Sequence, residues 1–112
     1  RPWVEGHLAE RGLLPLFHCV VTSDDVDKIK PAPDLYVAAL DRLHTSPDRA
    51  VAIEDSLNGV VAAKSAGMLC VTVPNPMTID MSLEKADVRL GALSEMGLQT
   101  LLDTLIRPIQ GV

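Results

Sequence analysis

The stretch AVAIEDSLNGVVAAKSAGMLCVTV, residues 50–73, contains a complete strand–helix–strand pattern. Ala50–Ile53 is a continuous apolar run, which predicts a strand that is buried on both faces. Ser56–Ala66 predicts a helix, because its serine is a favourable N-cap and a glycine follows its last residue. Leu69–Val73 is apolar and contains β-branched residues, so it predicts the next strand. Two strands joined by one helix are expected to run parallel in the same sheet.

The flanking sequence continues the alternation of helices and strands. Pro2–Arg11 and Pro33–Leu43 each carry a proline in the first turn and predict helices. His18–Thr22 is short, apolar and partly β-branched, which predicts a strand. Val88–Leu90 predicts a short final strand, and residues 94–105 predict a last helix capped by the serine at its start. The chain is therefore expected to be an α/β domain with a parallel sheet, whose active groups lie beyond the C-terminal ends of the strands.

Length and composition limit the possible classes of protein. A chain of 112 residues suits one domain, and a net charge of -5 argues against nucleic acid as a partner. Cys19 and Cys70 lie in apolar runs, so buried free thiols are favoured over a disulfide. The sequence has neither a signal peptide nor an apolar run long enough to span a bilayer, which predicts a cytoplasmic protein without membrane contact.

Lys30 opens the segment KPAPD, which lies between the predicted strand at His18–Thr22 and the next helix. Two prolines at alternate positions stiffen the backbone and hold this lysine near the start of a helix. An ammonium group and the free N–H groups of a helix N-terminus together can bind an anion. Taken alone, the segment favours the plainer interpretation, which is a solvated lysine in front of an ordinary helix that starts with proline.

Glu54 and Asp55 are adjacent carboxylates at the end of a predicted buried strand. Their mutual repulsion would be relieved by a hard divalent cation, and magnesium suits one or two carboxylates together with water and phosphate oxygens. The alternative interpretation is helix capping by Asp55 or Ser56, and the pair alone does not decide between the two. Asn58 either reaches the same site or is solvated. Gly59 is unfavourable in a helix, which predicts a close approach by a ligand or a neighbouring strand.

The segments KPAPDLYVAAL, residues 30–40, and VAIEDSLNGVVAAKSAGM, residues 51–68, together resemble the third and fourth motifs of the haloacid dehalogenase superfamily. The resemblance is greatest to its β-phosphoglucomutase-like branch and runs from about Gly12 to Val73. It implies a three-layer, Rossmann-like core. It also implies phosphoryl transfer through an aspartyl-phosphate, formed by an aspartate that follows the first strand of the family's fold.

The resemblance assigns roles to residues of this chain. Lys30 matches the lysine that neutralises the charge of the nucleophile and the phosphoryl group, which makes it both a catalytic and a substrate-binding residue. Glu54 and Asp55 match the acids that hold Mg²⁺, and Asn58 is a candidate substrate-binding residue. Because both groups would act through charge, Lys30→Ala and Asp55→Ala in the intact parent protein are expected to reduce turnover strongly and to leave the fold nearly intact.

Parts of the family pattern do not occur in the 112 residues. The nucleophile motif DxDx(T/V) is missing, and Asp25 and Asp27 lie in the lysine loop in a different sequence context. The second motif would lie just before Arg1, with the substrate-selecting cap further upstream. Residues 1–112 are therefore expected to be the C-terminal part of a core domain, without the cap and without the first two core strands. The start at Arg1 instead of methionine also suggests that an upstream segment has been removed.

The expected function is that of a fragment of a magnesium-dependent phosphohydrolase that acts on a small phosphorylated metabolite. The fragment itself is expected to be inactive. Two alternatives stay open, namely a phosphomutase of the same family and a non-catalytic α/β binding or interaction domain. A receiver-like signalling domain is disfavoured, because its acids should lie near the start of the chain. The expected macromolecular partner is the missing N-terminal half or a second copy of the chain.

Two geometric expectations follow. Lys30 and the acid pair Glu54 and Asp55 should face one crevice at the C-terminal edge of the sheet. Ala50–Ile53 should pair in parallel with Leu69–Val73, whereas His18–Thr22 should be separated from them by the width of two missing strands. Three strand spacings correspond to a gap on the order of 14 Å.

Overall fold

The computed structural model describes residues 2–75 and 85–110. Its helices are α1 (Pro2–Glu10), α2 (Asp34–Leu43), α3 (Leu57–Ser65) and α4 (Leu98–Gln110). Its strands are β1 (Val51–Glu54), β2 (Leu69–Thr72) and β3 (Val88–Arg89). Short 3₁₀ turns lie at Leu14–Leu16, Ser23–Asp25, Pro47–Arg49 and Leu93–Glu95. The predicted α/β class is confirmed, and within these ranges no helix is long and apolar enough to cross a membrane.

The three strands form one parallel sheet in the order β1–β2–β3. Val51 lies opposite Leu69 at the start of the β1–β2 ladder, and Glu54 lies opposite Thr72 at its end. The predicted direct and parallel pairing of these two strands is therefore confirmed. Because both strands end at the same edge, the residues that follow them are brought together there.

Local signals at both ends fix α3 between the two strands. The Ser56 hydroxyl accepts a hydrogen bond from the Gly59 backbone N–H at 3.2 Å, which confirms the predicted N-cap. Gly67 has a φ of +85°, a conformation that glycine adopts without the steric cost that a Cβ atom imposes. The chain therefore leaves the helix sharply and enters β2 two residues later.

Helices cover both faces of the sheet and give the molecule three layers. On one face, α2 and α3 pack on β1 and β2 through a buried cluster that consists of Leu40, Ala52, Val60, Ala63, Met68 and Cys70. On the other face, α4 contributes Leu101 and Leu105 to a second cluster with Val71 of β2 and Leu90. The predicted three-layer arrangement follows, with small side chains allowing α3 to lie close to the sheet.

The prediction of a strand at His18–Thr22 is wrong. This segment belongs to no ladder in the described part of the chain. Its backbone is held instead by α2, because the Arg42 guanidinium donates to the Val20 carbonyl at 2.9 Å and lies 3.2 Å from the Asp25 carboxylate. Apolar and β-branched composition favours a strand only where a neighbouring strand supplies hydrogen-bond partners, and none of the described strands lies beside it.

The start predicted for the last helix is also wrong. Ser94 does not cap α4, since it lies inside the 3₁₀ turn Leu93–Glu95 and the helix begins at Leu98. The Glu95 carboxylate closes this turn by accepting a hydrogen bond from the Gly91 N–H at 3.1 Å. Serine is favoured in turns as well as at N-caps, which is why its presence alone did not locate the start of the helix.

β1 is not buried on both faces, contrary to the prediction from its apolar run. Ala52 and Glu54 are buried against the α2 and α3 layer, but Ile53 on the other face is 55% exposed. β1 also forms one edge of the described sheet. An exposed isoleucine beside a row of unpaired backbone groups is typical of a strand that has another strand as its neighbour in the complete sheet.

Asp87 links β2 to the residues that lead into β3. Its carboxylate accepts hydrogen bonds from the Cys70 N–H at 2.7 Å and from the Lys64 ammonium at 2.9 Å. Cys70 is fully buried, so its N–H has no access to water. The carboxylate therefore supplies the acceptor that this buried N–H requires.

We expect Asp87→Ala to lower the free energy of unfolding by about 1–3 kcal/mol, because it leaves the buried N–H of Cys70 without an acceptor. Asp87→Asn keeps a side-chain oxygen and loses only the partly exposed pair with Lys64, so it should cost less than about 1 kcal/mol. Urea unfolding followed by far-ultraviolet circular dichroism measures both variants. Equal losses in the two variants would show that the ion pair, and not the backbone acceptor, is what stabilises this corner.

Candidate functional site

Lys30 is held at the start of α2 and extends towards the end of β1. The Lys30–Pro31 peptide bond is cis, and Pro33 occupies the N-cap position of α2. The Lys30 ammonium donates to Glu54 Oε1 at 2.5 Å, across 24 positions of sequence. This contact brings together two residues that sequence analysis placed in the same crevice, and it confirms that part of the geometric expectation.

Glu54 is the buried member of the pair. Its side chain is 6% exposed, compared with 35% for Lys30. Glu54 Oε1 also accepts a hydrogen bond from the Tyr36 hydroxyl of α2. A carboxylate removed from water needs such partners, because burial without them would strongly disfavour its charged form.

Gly59 makes room for the Glu54 carboxylate. A Cβ atom added at Gly59 would lie 1.8 Å from Glu54 Oε2 and 2.1 Å from its carboxyl carbon. The close approach predicted for this glycine is therefore confirmed, and the group that approaches is a side chain of the neighbouring strand. The Glu54 carboxylate thus lies against the backbone of Gly59 on one side. Lys30 and Tyr36 donate hydrogen bonds to its other oxygen, Oε1.

Tyr36 was not identified as a site residue from the sequence. Burial raises the pKa of its phenol above the ordinary value, and the hydrogen bond to Glu54 and the charge of Glu54 raise it further. The hydroxyl therefore stays protonated and acts as a donor. One signal was available in the sequence: Tyr36 is the chain's single tyrosine and lies six residues after Lys30 within the same motif.

Asp55 is exposed and lies next to Glu54, just beyond the end of β1. The Asn75 amide donates to Asp55 Oδ2 at 3.1 Å, so a residue that follows β2 orients an acid that follows β1. Asn75 was also missed by sequence analysis, although its position after the second strand placed it at the same edge. Asn58 is exposed on α3, and within the described residues no hydrogen bond joins it to Lys30, Glu54 or Asp55.

A divalent cation fits one of the two predicted ligands better than the other. Asp55 presents an exposed carboxylate at the sheet edge, which is the type of oxygen ligand that Mg²⁺ prefers. Glu54 Oε1 is already occupied by an ammonium and a phenol donor. Residues 2–75 and 85–110 contain no group of three or more acidic, histidine or cysteine side chains placed to hold a metal. Within these ranges, Asp55 and Glu54 would therefore supply at most two carboxylate ligands to such an ion.

Cys70 lies behind the site, and both cysteines are free thiols as predicted. Burial raises the pKa of the Cys70 thiol to about 11, and the negative charges of Glu54 and Asp87 act in the same direction. The thiolate, which is the reactive form, is therefore disfavoured in the folded chain until the pH approaches that value. Cys19 is only partly buried.

We expect iodoacetamide at about pH 8 to modify Cys19 in the native chain and to leave Cys70 unmodified. Cys70 is inaccessible and has a raised pKa, whereas reagent can reach Cys19. Mass spectrometry of peptides after timed alkylation measures the two rates. In urea the two thiols should react at similar rates, and rapid labelling of Cys70 in the native chain would contradict its observed burial.

Comparison with known proteins identifies the family. Residues 1–73 match the model of the haloacid dehalogenase-like hydrolase family. The protein named "Putative phosphatase YhcW" from Bacillus subtilis is 48% identical over 103 residues, which cover 92% of this chain and 47% of that protein. Protein CbbY from Cereibacter sphaeroides is 43% identical over 82 residues, covering 73% of this chain and 36% of that protein. The chain thus spans about half the length of these curated relatives, or less.

Solved structures agree with this result. CbbY from Rhodobacter sphaeroides, crystallised as a mutant in complex with xylulose-(1,5)bisphosphate, superimposes with a TM-score of 0.76 at 41% identity and covers 80% of this chain and 40% of that one. β-Phosphoglucomutase from Clostridium difficile superimposes with a TM-score of 0.82 at 22% identity, over 94% of this chain and 45% of that one, and shares the fold. Matching motifs, sheet topology and family model lead to one conclusion: the chain belongs to the haloacid dehalogenase-like hydrolase family.

Proposed function

We propose that this chain forms the C-terminal part of the core of a magnesium-dependent phosphohydrolase that works through an aspartyl-phosphate. The observation that carries the proposal is the contact between the Lys30 ammonium and Glu54, next to Asp55 at the C-terminal edge of a parallel sheet. In open α/β sheets this edge is where ligands bind. A lysine that precedes α2 contacts the last residue of β1 there, and a second carboxylate follows directly in the sequence. Helix capping alone would not require this contact.

Each residue has a defined task in this proposal. Lys30 binds the phosphoryl oxygens and stabilises the negative charge that develops during transfer. Asp55, oriented by Asn75, holds Mg²⁺ together with Glu54 and with groups outside the described residues. When bound, the metal would neutralise charge on the phosphoryl group. Asn58 remains a candidate substrate-binding residue, supported by its exposure at the start of α3.

The domain assignment is part of the same proposal. Residues 1–112 contain the third and fourth motifs, and the nucleophile and the cap belong to a separate segment. The exposed edge of β1 with Ile53 supports it, since that edge offers unpaired backbone groups to a further strand. The missing half of the core, or a second copy of the chain, would fill this edge. Without the nucleophile, the 112 residues alone bind charge but do not turn over a phosphate ester.

The proposed substrate is a small phosphorylated metabolite. This class is supported by relatives whose names or titles mention such compounds, including CbbY in complex with xylulose-(1,5)bisphosphate and a validoxylamine A 7′-phosphate phosphatase from Streptomyces hygroscopicus. A phosphomutase is the second candidate within the family, supported by a structure titled "putative beta-phosphoglucomutase" from Thermotoga maritima, which is 27% identical and superimposes with a TM-score of 0.73 over 100% of this chain and 49% of that one. A cytoplasmic setting belongs to the proposal as well, supported by two free thiols.

The test is an assay of the protein encoded by the complete reading frame that contains these residues. We expect it to release phosphate from small phosphate esters only when Mg²⁺ is present, and the 112-residue chain alone to release none. Asp55→Asn should lower turnover by about 100-fold or more, because it removes a metal ligand. Asp48→Asn is the matched control, since it makes the same acid-to-amide change in the exposed turn Pro47–Arg49.

Two results would overturn the proposal. One is a complete reading frame that lacks an upstream aspartate motif and shows no magnesium-dependent hydrolysis, which would favour the non-catalytic binding domain. The other is equal activity of the Asp55→Asn and Asp48→Asn variants, which would remove Asp55 from the metal site. Conversion of one sugar phosphate into its isomer, without release of phosphate, would identify the phosphomutase instead.

A further inference from the structure

Tyr36 contacts both members of the central ion pair. Its hydroxyl donates to Glu54 Oε1, which is the same oxygen that accepts from Lys30. The face of its ring lies 5.2 Å from the Lys30 ammonium, measured to the ring centroid. One side chain on the first turn of α2 therefore touches the anion through its hydroxyl and the cation through its ring.

These contacts restrict the mobility of the Lys30 ammonium. A lysine side chain has many rotamers, and the Lys30 side chain is 35% exposed here, so a single partner would leave its ammonium mobile. The attraction between a cation and an aromatic face restricts the ammonium from a direction that differs from that of the carboxylate. The Tyr36 hydroxyl at the same time fixes the oxygen that Lys30 binds.

We propose that Tyr36 is a positioning residue for the Lys30 ammonium. Its ring contacts the ammonium directly, and its hydroxyl holds the Glu54 oxygen to which the ammonium donates. The inference rests on the proposed function in one respect, namely that a fixed Lys30 is useful for binding a phosphoryl group. The geometric part concerns only residues within this chain. A purely structural role, in which Tyr36 fills space beside the Leu40 and Ala52 cluster, predicts no selective effect on Lys30.

The test measures the exchange of lysine ammonium protons with water by ¹⁵N nuclear magnetic resonance, on the 112-residue chain and its variants. Lys64 is an internal control, because its ammonium pairs with Asp87 at 2.9 Å in another part of the molecule. In Tyr36→Phe, which keeps the ring and removes the hydroxyl, we expect Lys30 exchange to become about threefold faster while Lys64 exchange is unchanged. In Tyr36→Leu, which also removes the ring, we expect an increase of about tenfold or loss of the Lys30 signal.

The two variants make the inference falsifiable even when one of them folds poorly. Lys30 exchange in Tyr36→Phe that stays within about 1.5-fold of the original chain, or that rises in step with Lys64, overturns it. If Tyr36→Leu loses both ammonium signals, the Phe variant decides alone.

Kinetic measurements of the Tyr36 variants in the complete protein distinguish the positioning role from the proposed function. A selective change at Lys30 without any phosphatase activity would uphold the positioning role and overturn the proposed function. A drop in kcat with little change in KM would support both.

Discussion

Gly59→Ala in α3 is expected to disrupt the contacts of Glu54 with Lys30 and Tyr36. The added Cβ would lie 1.8 Å from Glu54 Oε2, so either the carboxylate or α3 must move. Displacing the carboxylate breaks its contacts with Lys30 and Tyr36, and displacing the helix opens the layer that covers β1. We expect a loss of about 2–3 kcal/mol in the free energy of unfolding, which is within the range observed for overpacked cores. Urea unfolding at fixed temperature measures it.

Gly6→Ala is the matched control for this prediction. Gly6 also lies in a helix, α1, but nothing lies within 4 Å of a Cβ added there. Alanine is the better helix former, so this variant should gain up to about 1 kcal/mol, and the two substitutions should have opposite signs. Gly59→Ala combined with Glu54→Ala should cost less than about 0.5 kcal/mol beyond Glu54→Ala alone, because the clashing group is gone. A full, additive cost in the double variant would place the clash elsewhere.

The elements that the sequence located correctly are those whose signals are local. Ser56 caps α3 through its own hydroxyl, and glycine ends the helix at a position where φ is positive. The β1–β2 pairing follows from the same local unit, because a strand, a helix and a strand in succession leave few other arrangements. The contact between Lys30 and Glu54 was predictable for a similar reason, because the position of each residue in the chain places it at the same edge of the sheet.

The errors concern features that depend on distant partners. Whether His18–Thr22 forms a strand depends on a neighbour that the described residues do not supply, and Ile53 is exposed for a related reason. Tyr36 and Asn75 belong to the site because their side chains point towards Glu54 and Asp55. These directions depend on how α2 and the segment after β2 pack, which the sequence alone does not give. The sequence indicated which segments carry polar groups to the sheet edge, but only packing determines which of those groups touch.

The structure also changes what is expected of Lys30→Ala. The sequence predicts an intact fold for this variant, because a lysine at a phosphate site serves charge alone. Glu54, however, is 6% exposed and depends on Lys30 for its neutralisation, and removal of Lys30 would leave a buried carboxylate with Tyr36 as its remaining observed donor. Breaking a buried pair on one side is costly, and the partial exposure of Lys30 moderates the loss. We expect about 2 kcal/mol of lost stability, compared with less than about 1 kcal/mol for the control Lys64→Ala, whose pair is about one-third exposed on both sides.

A second substitution separates this loss of stability from the loss of activity. Lys30→Met combined with Glu54→Gln removes both charges and keeps similar volumes, so no unpaired charge is left in the interior. Replacement of both partners of a buried ion pair by neutral groups is often nearly neutral for stability. We therefore expect the double variant to recover most of the stability that Lys30→Met alone loses, as measured by urea unfolding. Phosphate release by the complete protein should nevertheless stay about 100–1000-fold below that of the original, because the ammonium that stabilises phosphoryl charge and the charge of one proposed metal ligand are both missing. Glu54→Gln alone is measured beside it, and the double variant should be less active than this single variant. Recovery of activity together with stability would mean that Lys30 serves only to neutralise Glu54, and its role at the phosphoryl group would have to be given up.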